Sequence, residues 1–273
     1  MKIRIIILAI VNLLTTSCFS SRPSKDNPIV IGEFGSLTGS ESSFGQNTHK
    51  GVSLAIEEQN KSGGVQGRII KLVTVDNQSS ADKPVDVVTE LIANNKVIAL
   101  LGAVVSSRTL KAAPLAQKHK VPLISPSSTN LNVTKVGDYI FRACYIDPFQ
   151  GEAMATFAYK DLKINKVAII KDIQSEYSRG LAEFFIKTFK KLGGKIVADE
   201  TYKAGDIDFS SQLEFIRSQK PEGVFIPGYY MEVGLIARQI RKLGIKAHLL
   251  GGDGWDSPKL FEIGKDSVNG AYF

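Results

Sequence analysis

Short apolar runs alternate with longer stretches in which apolar residues return every three or four positions. The runs at 29–34, 69–76, 97–102, 122–125 and 139–142 are too short for helices and are bounded by glycine, proline and hydroxyl residues, which predicts buried strands. Between them the periodicity predicts helices over 46–60, 83–94, 109–119 and 150–162. In the first, Val52, Ala55, Ile56 and Gln59 share a face; in the second, Val87, Leu91 and Ile92 do. From Lys166 the alternation restarts. Strands are predicted at 167–171, 196–202, 224–227, 249–250 and 270–273, and helices at 177–192, 209–219 and 233–243.

Strict strand–helix alternation implies parallel sheets with both faces covered. About ten such units exceed one small open sheet, and the restart near 145–165 divides them into two domains of similar build. In such sheets ligands lie outside the carboxyl ends of the strands, so the residues just past each run carry the functional expectation. The first half offers Ser36, Thr38 and Phe44, then Ser106 and Ser107, then Ser127, Ser128 and Thr129. The second half offers Asp172 and Tyr177, then Tyr229 and Tyr230, then Asp253 and Trp255.

Hydroxyls on one side and aromatics with acids on the other suit a zwitterion. Ser106 and Ser107, read as N-caps of the helix that follows, supply hydroxyls and free backbone N–H groups to a carboxylate. Asp253 is the candidate partner of an ammonium, and Phe44, Tyr177 and Tyr229 are candidate walls for an apolar side chain. Each also has a structural reading: cap, turn, core aromatic, or the Asp-Gly turn of GGDGW.

Composition changes this picture little. The 273 residues are 43% hydrophobic and 22% charged, as in ordinary globular chains. The net charge of +7 is spread over helix faces among acids, which argues for a solvated surface and against nucleic acid. The N-terminus does add something. Lys2 and Arg4 precede an apolar stretch at 5–14, then Thr15, Thr16, Ser17 and Cys18. This is a secretory leader, too short to span a membrane. It resembles a bacterial lipoprotein signal with Cys18 as the lipidated residue, although Leu14 stands four positions before the cysteine rather than three. Cys144 is then left single and reads as a small buried hydrophobe. No Cys/His cluster suggests a metal site, and no cofactor is expected. No G-x-S-x-G elbow, Walker loop or G-x-G-x-x-G fingerprint is present, and no nucleophile has a base beside it, so the chain does not read as an enzyme.

The segments IGEFGSLTGSESSFG, EEQNKSGGVQGRIIKLVTVDNQS, LISPSSTN, DIQSEYSRGLA, VFIPGYYMEVGLIARQIRKLG and GGDGW resemble the periplasmic branched-chain amino-acid-binding proteins, the solute receptors of ATP-driven (ABC) importers, from about Ile29 to Phe273. The resemblance implies an α/β protein of two doubly wound parallel-sheet lobes, the type I periplasmic-binding fold, closing on its ligand. It implies a leader at 1–17, a tether at 18–28, a first lobe at 29–145, a second at 146–266, and a crossover beginning at 267–273. Members of the family run on past the position of Phe273, so a C-terminal truncation with an incomplete first lobe is expected.

By the same resemblance the ligand, an amino acid or small amide, meets Phe44, Ser106, Ser127, Thr129, Tyr177, Tyr229 and Asp253. Ser106 and Thr129 would hold its carboxylate and help fix the ammonium, Ser127 would act through its backbone, and Tyr229 and Asp253 would meet the ammonium on closure. Phe44 and Tyr177 would line the side-chain region. Asp253 replaces the Glu of leucine- and valine-binding members, so its carboxylate reaches less far. The implied partners are a membrane permease and, through Cys18, the membrane itself, in the periplasm or at the cell surface. The competing expectations are a ligand-sensing module of a signalling receptor, a secreted hydrolase on a related scaffold, and a non-functional remnant.

Overall fold

The computed structural model describes residues 24–273. The leader, Cys18 and most of the tether lie outside the described residues.

Two all-parallel sheets carry the architecture. The first has five strands in the order β2–β1–β3–β4–β5: β1 Ser24–Gly35, β2 Arg68–Asp76, β3 Ala99–Leu101, β4 Leu123–Ser125 and β5 Ile140–Arg142. The second has four in the order β7–β6–β8–β9: β6 Lys166–Asp172, β7 Lys195–Tyr202, β8 Gly223–Phe225 and β9 His248–Leu250. In each sheet the strand order reverses beside the first strand, so each has its own switch-point crevice at its carboxyl edge. The residues 270–273, expected as a strand, form a single parallel bridge from Tyr272 to Leu250, against β9.

The helices are α1 Ser42–Lys61, α2 Pro84–Ala93, α3 Ser106–His119, α4 Asp147–Thr156, α5 Glu176–Lys191, α6 Ser210–Ser218, α7 Tyr230–Lys242 and α8 Pro258–Gly264. Helix α5 shows why these stretches become helical. Ser175 caps it by accepting a hydrogen bond from the Ser178 N–H, Glu176 opens it and Lys190–Lys191 close it, which matches side-chain charge to the helix dipole. Its Leu181, Ala182, Phe185 and Phe189 are buried against the second sheet. Strand β6, apolar through Val167–Ile170, is covered on both faces.

Two helices begin earlier than their sequences suggest. Helix α1 starts at Ser42 rather than 46 because Gly45 belongs to its first turn. A Cβ there would lie 2.1 Å from the Ser36 carbonyl oxygen, so the glycine serves a close helix–strand approach, not a loop. Helix α3 starts at Ser106 rather than 109. Extended Val105 occupies the cap position, and Ser106 and Ser107 are the first helical residues, not caps. After α4 the chain continues as a π-helical turn, Phe157–Asp161, where an unbroken helix to 162 was expected.

The lobes meet edge to edge. Ser107 Oγ accepts a bond from Glu176 N (3.0 Å), and Asn130 Nδ2 donates to Glu176 O (2.7 Å). Tyr230 Oη accepts from Ser43 N (3.2 Å), and Ser257 Oγ donates to Ser43 Oγ (2.8 Å). Phe44, from the first lobe, packs into the second lobe's core, with its ring 5.0 Å from Tyr230 and 6.0 Å from Tyr229.

Candidate functional site

Between the two carboxyl edges lies a small cavity of about 30 Å³, room for two or three water-sized groups. Phe44, Ser106 and Ser127 line it from the first lobe, and Tyr177, Tyr229 and Asp253 from the second, with Val104 and Gly254 completing the wall. Six of the seven expected ligand contacts therefore converge on one space. Thr129 is not among its lining residues. It is 1% exposed and its Oγ1 has no hydrogen-bond partner among the described residues. A buried orphan hydroxyl is costly and marks a position that a ligand or water would satisfy.

The first-lobe wall is built from element ends. Helix α3 turns its N-terminus to the cavity; its first intrahelical bonds are Arg108 N and Thr109 N to Val105 O, so the N–H groups of Ser106 and Ser107 are among those a helix start leaves unpaired within the helix. Ser106 Oγ accepts from Asn130 N (3.2 Å), which ties the helix start to the 127–130 loop. Ser128, a candidate by its place in the sequence, is consumed structurally: its hydroxyl lies 2.9 Å from Val104 O, 3.1 Å from Ala103 O and 2.7 Å from Thr109 Oγ1. Arg142 threads the same loop, donating to Ser128 O and Asn130 O at 2.8 Å each.

On the second-lobe wall, Asp253 opens a single 3₁₀ turn, Asp253–Trp255. Gln150 of α4 grips it twice, with its Oε1 accepting from Asp253 N (2.5 Å) and its Nε2 donating to Asp253 Oδ1 (3.1 Å). The Tyr177 hydroxyl accepts from Gly254 N (3.0 Å), which places it beside the Asp253 carboxylate. Gly254 is required there, since a Cβ would lie 2.5 Å from Gly228 O and 3.0 Å from the Tyr177 ring. Tyr177 stacks on Tyr229 with centroids 5.1 Å apart. Burial raises the Asp253 carboxyl above its ordinary range, against the opposing effects of Tyr177 and Gln150. Burial also raises the Tyr229 hydroxyl, and the charges of Glu41 and Asp253 add to that shift. A half-buried acid with no ion pair among the described residues, facing helix-start donors across a small cavity, can take a cationic group on one side and an anionic group on the other.

Behind Thr129 lies a group the sequence did not point to. Asp147 is fully buried and both its carboxylate oxygens lack hydrogen-bond partners among the described residues. Burial lifts its pKa to about 7; the nearby Thr129 hydroxyl, without hydrogen-bond geometry, and Arg142 oppose that lift, and Asp253 adds to it. Gln150, Arg142 and Asp147 carry no sequence signal of their role, because each acts through contacts that only the folded chain creates; Ser107, a candidate by its place in the sequence, bonds Glu176 N across the lobes instead. Cys144, expected to be buried, is half-buried, and its desolvation raises the thiol pKa.

The profile of a periplasmic binding protein family matches residues 28–273. The Leu/Ile/Val-binding protein homolog 3 of Brucella melitensis is 30% identical over 268 residues, covering 98% of this chain and 72% of that protein. Among solved structures, the leucine binding protein LivK of Thermotoga maritima is 40% identical with a TM-score of 0.86, covering 89% of this chain and 69% of that one. LivJ of Streptococcus pneumoniae, determined in complex with isoleucine, is 36% identical with a TM-score of 0.82, covering 88% of this chain and 68% of that one. The chain thus spans roughly seven tenths of the length of each of these three relatives. With its two parallel sheets flanked by helices it has the type I periplasmic-binding fold, and the chain belongs to the periplasmic binding protein family.

Proposed function

We propose that the protein captures a free amino acid, or a small amide, between its two lobes and presents it to the membrane permease of an ABC importer. The observation that carries this reading is the convergence of Ser106, Ser127, Tyr229 and Asp253 on one closed cavity from opposite carboxyl edges. The ligand carboxylate takes the N–H groups at the start of α3 with the hydroxyls of Ser106 and Thr129, and the backbone of Ser127. The ammonium meets Asp253 and Tyr229. Phe44 and Tyr177 form apolar wall. The names of the relatives, which include a leucine binding protein and an isoleucine complex, support an α-amino acid. The protein performs no chemistry on its ligand.

The family's location supports a place outside the cytoplasm, and we extend this to a lipid anchor on Cys18, which mass spectrometry of the N-terminal peptide would detect as an acylated cysteine. Calorimetric titration with the common amino acids and their amides tests the capture itself. Binding by at least one of them is the expected outcome, and silence across the whole panel refutes it.

A further inference from the structure

A second chamber adjoins the first. It holds about 260 Å³, lies between the same two lobes, and shares Tyr229 as a wall. Consecutive residues of one segment separate the two: Val104 and Ser106 face the smaller cavity, and Val105, Ser107 and Arg108 the larger. The smaller cavity has room for no more than the polar head of an amino acid. A side chain of any length has to continue elsewhere, and the larger chamber is the neighbouring space.

That space is not apolar. Glu41, Arg108, Asp172, Tyr202 and Glu232 line it together with Tyr229. Glu41 and Arg108 neutralise each other at 3.0 Å, and Arg108 is also fixed to Ser79 O (2.9 Å). Lys111, at the mouth, gives its ammonium to Ala81 O and Asp82. Among the described residues Asp172 and Glu232 form no ion pair, although the Arg108 charge acts on Asp172. They are 7% and 8% exposed; the Asp172 carboxylate accepts from Gln174 N and the Glu232 carboxylate from Gly205 N. Tyr202, 3% exposed, also lines the chamber, and its hydroxyl has no hydrogen-bond partner among the described residues. Three buried carboxylates against one guanidinium, two of them outside any ion pair, with the Tyr202 hydroxyl beside them, describe a pocket for a positively charged, donor-rich group. Burial raises both carboxyls, and each is affected by neighbouring acids, as expected where a counter-cation is wanted.

We infer that the ligand is an α-amino acid with a basic side chain, whose ammonium or guanidinium end passes Tyr229 and lodges between Asp172, Glu232 and the Tyr202 hydroxyl. This rests on the reading of the smaller cavity as the seat of the α-amino and carboxyl groups. It departs from a leucine-type site, because a branched hydrocarbon placed here would leave two buried carboxylates unpaired.

The test is calorimetry on the protein with L-lysine, L-arginine, L-leucine, L-isoleucine and L-alanine, and on the Glu232→Gln and Tyr202→Phe variants. Lysine or arginine should bind at least about ten-fold tighter than leucine or isoleucine. Glu232→Gln should weaken the basic ligand by about ten-fold and alanine by less than about two-fold. Tyr202→Phe, which removes one oxygen and keeps the packing, should weaken the basic ligand by about three-fold. Tighter binding of leucine or isoleucine overturns this inference while amino-acid capture stands; binding by none of the five overturns both. Equal losses for alanine and the basic ligand in Glu232→Gln would make Glu232 merely structural and would also overturn it.

Discussion

The two lips of the cleft meet the same cavity with different means. The first lobe presents backbone N–H groups and short hydroxyls at the start of α3 and in the 127–130 loop. The second presents one carboxylate and two stacked tyrosine rings. Dipoles and hydroxyls on the first lip are fixed by the ladder behind them. Ser106, for instance, is tied to Asn130 N, and the loop to Arg142. Asp253 on the second lip depends on side chains, Gln150 and Tyr177, to hold it. The first lip is therefore held by its own backbone and hydroxyl contacts, and the second carries an acid aimed by its neighbours. A substitution on the second lip should discriminate between ligands, whereas one on the clasp between the lobes should act on all of them alike.

The sharpest break in that contrast is Asp253→Asn. It keeps volume and hydrogen-bonding capacity but removes the charge. Loss of one partner from a buried charge pair costs about 4 kcal/mol, roughly a thousand-fold in affinity. Calorimetry should show this loss for any ammonium-bearing ligand. A loss below about three-fold would take Asp253 out of the ammonium site.

Asp147, at the start of α4 and behind Thr129, should have the next largest effect, on stability. Its carboxyl titrates near 7 in the folded chain against about 4 when unfolded. Between those values the unfolded chain has released a proton that the folded chain keeps. Stability from this group is therefore fullest below about pH 4, falls as pH rises through that window, and is flat above about pH 7. Asp147→Asn removes the slope. By urea denaturation it should gain about 3.7 kcal/mol on the wild type between pH 4 and pH 9. Parallel pH–stability curves for the two proteins would show that Asp147 is ionised throughout.

Tyr177→Phe tests whether the second lip's acid is aimed rather than merely present. The stack on Tyr229 survives, but Gly254 N, next in the chain to Asp253, loses its hydroxyl partner, and the Asp253 carboxylate loses a neighbouring hydroxyl. About 1.4 kcal/mol, a ten-fold loss of affinity, is expected, with little change in melting temperature. An unchanged affinity would leave Gln150 as the sole support of Asp253.

The same contrast separates what was legible in the chain from what was not. Apolar runs such as Val167–Ile170 announced the strands, and the strand ends announced Ser106, Ser127, Tyr229 and Asp253, because a parallel sheet puts its ligands at that edge. Thr129 was reached too, but its orphan hydroxyl depends on burial that only the folded loop creates. The start of α1 was misread because Gly45, a helix residue pressed against Ser36, looks like a loop glycine in one dimension. Ser106 and Ser107 were misread as caps because serine favours that position, while extended Val105 occupies it here. Glu41 and Arg108 are 67 positions apart, and Gln150 and Asp253 are 103 apart. No local spacing rule joins residues so distant; packing of the two lobes does.

The smallest effect expected is the most diagnostic of closure. Ser107 Oγ receives Glu176 N–H across the cleft, and that N–H belongs to the first turn of α5, where no intrahelical partner exists. In an open form water takes its place, so the bond is exchanged rather than lost, and its net worth is about 0.7 kcal/mol. Ser107→Ala should therefore shift the open–closed balance by about three-fold and weaken every ligand by that same factor, because all of them bind the closed form. In stopped-flow measurements the change should fall on dissociation. A three-fold loss shared by alanine, leucine and lysine would assign Ser107 to the clasp. A loss confined to one of them would place its hydroxyl on the ligand instead, and the first lip would then have to be redrawn around both serines of α3.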